Sequence, residues 1–165
     1  MYTKLEQFLT EWKQEAQITE AVMRALTDDS LLQPIREDRR SLGTLAWHLV
    51  SSIGYMASLG LSMDDLPDQK ERPASAVEIA EAYSRSARSL ERAVQEQWSD
   101  ETLGQSQQVM GEEWQNGASL RFTIMHQAHH RGQMTVLMRQ AGLVVPEVYG
   151  PNYESWIEKG MVPLD

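Results

Sequence analysis

The chain has 165 residues and no cysteine, and its 24 Asp and Glu against 15 Lys and Arg leave a net charge of −9. That length suits one domain with a sizeable core, read here as the whole of 1–165. The acidic balance, uncompensated by any basic run, excludes nucleic acid as an expected partner, and the missing cysteines exclude disulfides, thiolate ligands and a cysteine nucleophile, in keeping with the cytoplasm.

The opening residues Met1 to Gln7 lack the basic-then-apolar order of a signal peptide, and no run of about 18 apolar residues marks a membrane span, so a soluble protein with no membrane partner is expected. Leu5, Leu9, Trp12, Ala16, Thr19, Met23 and Leu26 recur at three and four spacings and predict an amphipathic helix from about Thr3 to Leu26. Asp28, Asp29 and Ser30 end it, and a charged, irregular stretch runs through Pro34 to Arg40. Ser41 is placed to cap a second helix from Leu42 to about Leu59, with Leu42, Leu45, Leu49, Ile53 and Met56 on its apolar stripe. His48 lies at the edge of that stripe, where a half-buried imidazole needs a partner, either a hydrogen bond from a neighbouring helix or a metal ion.

Leu61 to Pro73, with Pro67 and Pro73, reads as a long connection. A third helix follows from about Ser75 to Trp98, with Ile79, Tyr83, Ala87, Leu90, Val94 and Trp98 on one face. Tyr83 is within reach of a pocket there, although an aromatic at helical spacing is usually core. Ser99 to Ala118 is polar, carries Gly104, Gly111 and Gly117, and predicts a small hairpin or irregular excursion. Trp114 within it either walls a site entrance or seals the end of the bundle. Ser119 can cap a fourth helix that runs to about Gln140 and stops at Gly142. Leu120, Phe122, Ile124, Met125, Ala128, Val136, Leu137 and Met138 make this helix apolar nearly all round, which calls for burial by its own bundle and by a second subunit. The tail, with Tyr149, Tyr153 and Trp156, is expected to pack over the bundle, with a short helix from Glu154 to Lys159.

Three of the four histidines fall on the fourth helix, in Met125-His126-Gln127-Ala128-His129-His130-Arg131-Gly132-Gln133. At about 100° per residue, His126 and His130 point within about 40° of one another with Cβ atoms about 5–6 Å apart, a spacing that lets two imidazoles share one ion. His129 stands about 60° to one side of His126, and Gln133 returns to the stripe. A metalloprotease would need Glu after the first His as general base, and Gln127 cannot serve. A di-iron bundle would need Glu-x-x-His on two helices, and Leu45, Thr123, His126 and Gln127 occupy those places. What remains is a His-x-x-x-His pair for which His48 is the only distant histidine partner; three protein ligands with a vacant fourth position describe a reactive site. Without a third ligand the pair is an ordinary surface or satisfied core pair.

Leu45-Ala46-Trp47-His48-Leu49, the fourth-helix motif, and Ala141-Gly142-Leu143 through Val148-Tyr149-Gly150-Pro151 together resemble the DinB/YfiT-like family, the damage-inducible DinB proteins. The resemblance implies an all-α four-helix bundle with long crossover connections, homodimeric in many members. It also implies one divalent metal, zinc or nickel, held by His48, His126 and His130; the reading of the residues themselves adds Gln133, His129, Trp114 and Tyr83 as candidate pocket or supporting residues. For activity it implies transfer of a low-molecular-weight thiol such as bacillithiol onto a small-molecule substrate. The alternatives are a metal-dependent hydrolase and a non-catalytic metal- or small-molecule-binding protein of stress response; no residue names itself as the general base.

Overall fold

A computed structural model describes residues 1–68 and 71–163. Its long helices are α1 (Leu5–Arg24), α2 (Leu42–Ser52), α3 (Ala76–Gln97) and α4 (Asn116–Gln140), with a short α5 (Tyr153–Glu158) in the tail. Strands β1 (Ser106–Val109) and β2 (Glu112–Gln115) form an antiparallel hairpin with Ser106 opposite Gln115 and Val109 opposite Glu112. The fold is all-α apart from this hairpin, as the apolar stripes predict. No helix among the described residues is long and apolar enough to cross a membrane.

α1 packs beside α3 and α4, and α2 packs beside the same two helices. The diagonal partners are therefore α1 with α2 and α3 with α4, and the chain must cross the bundle end twice to join them, which gives the long connections. The connection over Leu61–Pro73 holds no helix or strand among its described residues, and positions 69 and 70 lie outside them. Phe8, Trp12, Leu45, Leu49, Ile53, Ile79, Tyr83, Leu90, Leu120 and Met138 fill the centre.

The ends of the helices are set by where their unpaired backbone groups find partners. Ser41 caps α2 as expected, its side chain accepting from the Thr44 N–H. The α1 N-terminus has no local cap; the Asp100 carboxylate, ninety-five residues away, accepts from the Leu5 N–H at 2.8 Å. α2 tightens after Ser52 into a 3₁₀ segment, Ile53–Leu59, that ends at Gly60 with φ 88°. Ser119 does not cap α4, which begins at Asn116 and takes Ser119 into its first turns. The reason is the hairpin: β2 runs directly into the helix, so the Asn116 N–H donates to the Gln105 carbonyl at 2.9 Å and no serine is needed. Close packing of Tyr2 fixes the next position, since a Cβ on Gly117 would stand 2.2 Å from the Tyr2 carbonyl oxygen.

Two side chains set the rotation of α4. Gln127 donates to the Leu49 carbonyl at 3.0 Å; Leu49 lies in the last turn of α2, where carbonyls lack helical partners. One turn on, Arg131 is fully buried and donates to the Glu15 carboxylate at 2.6 Å, to Thr19 Oγ1 at 2.7 Å and to the Glu15 carbonyl at 3.2 Å. It also donates to the Tyr149 hydroxyl, which itself donates to Glu15 at 2.8 Å, so the tail is tied to the same cluster.

Removing one member of a buried pair leaves the other charge desolvated and alone, which costs about 3–5 kcal/mol. Glu15→Leu is expected to lose stability on that scale in urea denaturation, well beyond a surface substitution; a loss under about 1 kcal/mol would mean the pair does not hold α1 to α4.

Candidate metal centre

α2 and α4 lie side by side, and the Gln127 bond to Leu49 places the residue before it on each helix, His126 and His48, face to face. Their Nε2 atoms are 3.2 Å apart. The His130 ring stands edge-on to both, with centroids 4.6 Å from His48 and 4.5 Å from His126. One ligand nitrogen from each of the three converges within 4.8 Å of the others. Two nitrogens bound tetrahedrally at 2.0–2.1 Å from one ion lie about 3.3 Å apart, which the His48–His126 spacing of 3.2 Å already matches, and an all-imidazole donor set suits a divalent transition metal.

Gln133 stands behind this trio. Its Oε1 is 2.8 Å from His130 Nδ1, an acceptor for an Nδ1–H, and in that tautomer the Nε2 lone pair is free. The same amide places Nε2 3.3 Å from His129 Nε2. His129 is exposed and outside the converging set; it steadies Gln133.

Burial lowers the proton affinity of all three rings by disfavouring the charged imidazolium, and neighbouring cationic groups add to the effect. For His126 burial is the main cause, followed by the charges of His130, His48, His129 and Arg40, and the pKa falls to about 4. In His130 burial outweighs the Gln133 hydrogen bond, which works the other way. At neutral pH the three rings are therefore neutral and their lone pairs available.

Beside the trio, on its hairpin side, is a cleft of about 170 Å³ lined by His48, Ser52, Tyr55, Val109, Met110, Trp114, Phe122, Thr123 and His126. Trp114 thus reaches the site, its ring 5.2 Å from that of Phe122, which lies 5.6 Å from His126. Tyr83 does not: it is fully buried on α3, near Thr19 and Arg131, where burial pushes its hydroxyl pKa upward. Tyr55, Phe122 and Met110 were not singled out as site residues by sequence. Phe122 had a usable signal, since it precedes His126 by one turn on the stripe that continues to His130; Tyr55 follows His48 by seven residues, two turns.

The DinB family model matches this chain over residues 1–161. The chain belongs to the DinB family. A Bacillus subtilis (strain 168) relative, the uncharacterized protein YrdA, is 42% identical over 162 residues, 98% of this chain and 97% of its own length. The crystal structure of a DinB-like protein from Bacillus cereus ATCC 10987 superposes with a TM-score of 0.86 at 41% identity, covering 90% of this chain and 100% of that one. A second DinB-like protein, YjoA of Bacillus subtilis, superposes with a TM-score of 0.68 at 18% identity over 86% of this chain and 97% of its own, a likeness of fold alone. In this DinB-family chain the three-histidine cluster is compatible with one metal ion.

The lowered proton affinities carry a stability consequence. An unfolded chain takes up imidazole protons near pH 6.5, whereas the folded metal-free protein resists them down to about 4 at His126. Between those values the unfolded state binds more protons, so stability falls as pH drops. The metal-free protein is expected to lose melting temperature between pH 7 and pH 5, and His126→Asn to flatten that slope; an unchanged slope in the variant would rule out His126 as its source.

Proposed function

We propose that this DinB-family protein is a divalent-metal-dependent transferase that joins a low-molecular-weight thiol to a small electrophilic substrate, with His48, His126 and His130 holding zinc or nickel. The observation that supports it best is the convergence of three imidazole nitrogens, each within 4.8 Å of the others, at the end of a cleft. An ion bound there with a vacant position supplies Lewis acidity that lowers a thiol's pKa and presents sulfur as the thiolate.

The chain's own residues orient and shield. The Gln133 carbonyl beside His130 Nδ1 favours the tautomer that a ligand needs. Trp114 and Phe122 wall the cleft against water. The thiol proton passes to solvent, the new carbon–sulfur bond forms from the sulfur electron pair, and the leaving group departs with the pair of the bond that breaks. Hydrolysis is the weaker reading, because the cleft lining contains no Asp or Glu to steer a water molecule.

The test is a cobalt titration followed by thiol. The parent is expected to take one ion per chain, His130→Ala to lose roughly 100-fold or more in affinity, and His129→Ala to change it only a few-fold. Adding 2-mercaptoethanol should raise a sulfur-to-metal charge-transfer band in the parent, with turnover of a chloro-aromatic electrophile by the metal-loaded protein across a panel of thiols. Tight metal binding with neither band nor turnover would turn the reading to a non-catalytic metal- or small-molecule-binding protein.

The same proposal includes a homodimer through the outer face of α4. Met125 and Val136, 55% and 58% exposed, lie three turns apart on one side of the helix, and between them Gly132 has nothing within 4 Å of where a Cβ would stand. Sedimentation equilibrium is expected to give twice the 18.8 kDa chain mass, and Val136→Glu to shift it toward the monomer. A monomer mass for the parent at high concentration would end the dimer proposal.

A further inference from the structure

The polar groups that line the cleft are already committed to the protein. The Tyr55 hydroxyl donates to the Ser119 carbonyl at 2.9 Å, and Thr123 Oγ1 donates to the same carbonyl at 3.0 Å. Ser52 Oγ donates to the Leu49 carbonyl at 3.2 Å. The Trp114 indole N–H donates outward, to the Glu112 carboxylate at 2.9 Å. What the cleft offers a ligand is therefore aromatic and aliphatic surface from Tyr55, Val109, Met110, Trp114 and Phe122, with His48 and His126 as the one polar locus at its end. Its volume, about 170 Å³, is that of a cavity that accepts a single benzene-sized ring. A wider open depression of about 470 Å³ on the other side of Trp114 and Phe122 touches none of the histidines and carries Glu113 and Arg121, so it is not the counterpart of this chemistry.

The hairpin turn gives an independent indication. Met110 and Gly111 both have positive φ, 52° and 85°, the pattern of a type I′ turn, in which Asn or Gly is favoured at the first position. Met110 holds a left-handed backbone conformation that strains a residue with a long side chain, and it is 95% exposed, so the core does not need it. It stands at the open rim of the cleft. A flexible, polarizable thioether at the rim of an aromatic-walled cavity adapts to the edge of an apolar guest.

We propose that the cleft between the β1–β2 hairpin and the α2–α4 pair seats one small apolar group of the substrate, an aromatic ring or a short alkyl chain, with the atom that reaches the ion directed at His48 and His126. Met110 and Trp114 are its specificity-determining residues. The inference rests on the metal reading above for the direction in which the guest points, and on the cleft alone for its chemistry.

Two hydroxamates test it on zinc-loaded protein by calorimetry, since they share one metal-binding group and differ only in the substituent it carries, a phenyl ring or a methyl group. Benzohydroxamate is expected to bind at least about tenfold more tightly than acetohydroxamate, because a ring's worth of apolar surface leaves water. Met110→Gly, which suits the turn better than Met, and Trp114→Ala should each reduce that ratio at least about threefold while acetohydroxamate affinity stays within about twofold. Equal affinities in the parent, or a ratio unmoved in Met110→Gly, overturn the proposal. If neither hydroxamate binds, the metal reading fails and a second arm decides the cleft: toluene added to metal-free protein carrying ¹³C-methyl methionine. A saturable shift of the Met110 methyl, as expected, upholds the apolar seat; no shift overturns it.

Discussion

A fully buried guanidinium has to find acceptors inside the protein, and in this fold that requirement bears on the position of α4. The two terminal nitrogens of Arg131 find the Glu15 carboxylate, the Glu15 carbonyl and Thr19 on α1 and Tyr149 from the tail, so two separate stretches of chain converge on one α4 cation. Gln127, one turn earlier, makes the matching bond to α2 through the Leu49 carbonyl. Each of these residues comes directly after a histidine in sequence. The motif therefore interleaves two i, i+4 pairs: His126 and His130 form the stripe that meets His48, while Gln127 and Arg131, about 100° round the helix, bond to α2 and α1. Turning α4 far enough to misplace the imidazoles would break the buried pair first.

The topology then supplies the rest of the site. Because α3 and α4 are diagonal partners, the chain between them has to cross the bundle end, and the crossing is long enough to hold the β1–β2 hairpin. That hairpin stands over the histidines and becomes the outer wall of their cleft. The rings sit where buried layer meets solvent, close enough to the core for burial to keep them neutral and close enough to the rim for a ligand to arrive.

The helices were legible because apolar side chains at three and four spacings have few alternatives, and the converging histidines were legible because a fixed helical phase turns spacing into direction. Phe122 was readable by the same rule and needed only the stripe through His126 and His130 to be traced one turn back. Ser119 misled because a cap signal describes what a helix start can use, whereas here the hairpin's own backbone does the work through Gln105. Tyr83 was ambiguous for a different reason: an aromatic on an apolar stripe has the same local pattern whether a cavity or another helix lies opposite, and α1 lies opposite. Arg131 and Glu15 were beyond reach, since the pairing of two charges 116 residues apart is a property of the packed bundle and leaves no local pattern.

The cleft wall and the packed core are thus carried by different parts of the molecule. Within the hairpin strands and their turn, Val109 is the buried core residue, while Met110 is exposed and Trp114 only partly covered. Substitutions there alter the wall of the cleft while the Arg131 cluster, the Gln127 bond and the three imidazoles stay in place. A substitution on the inner faces of α1, α2 or α4 instead acts on the phase of α4, and through it on all of the site at once. The consequence is a cleft whose wall can change by single residues of one turn, whereas the convergence of the three imidazoles depends on the packing of the whole bundle.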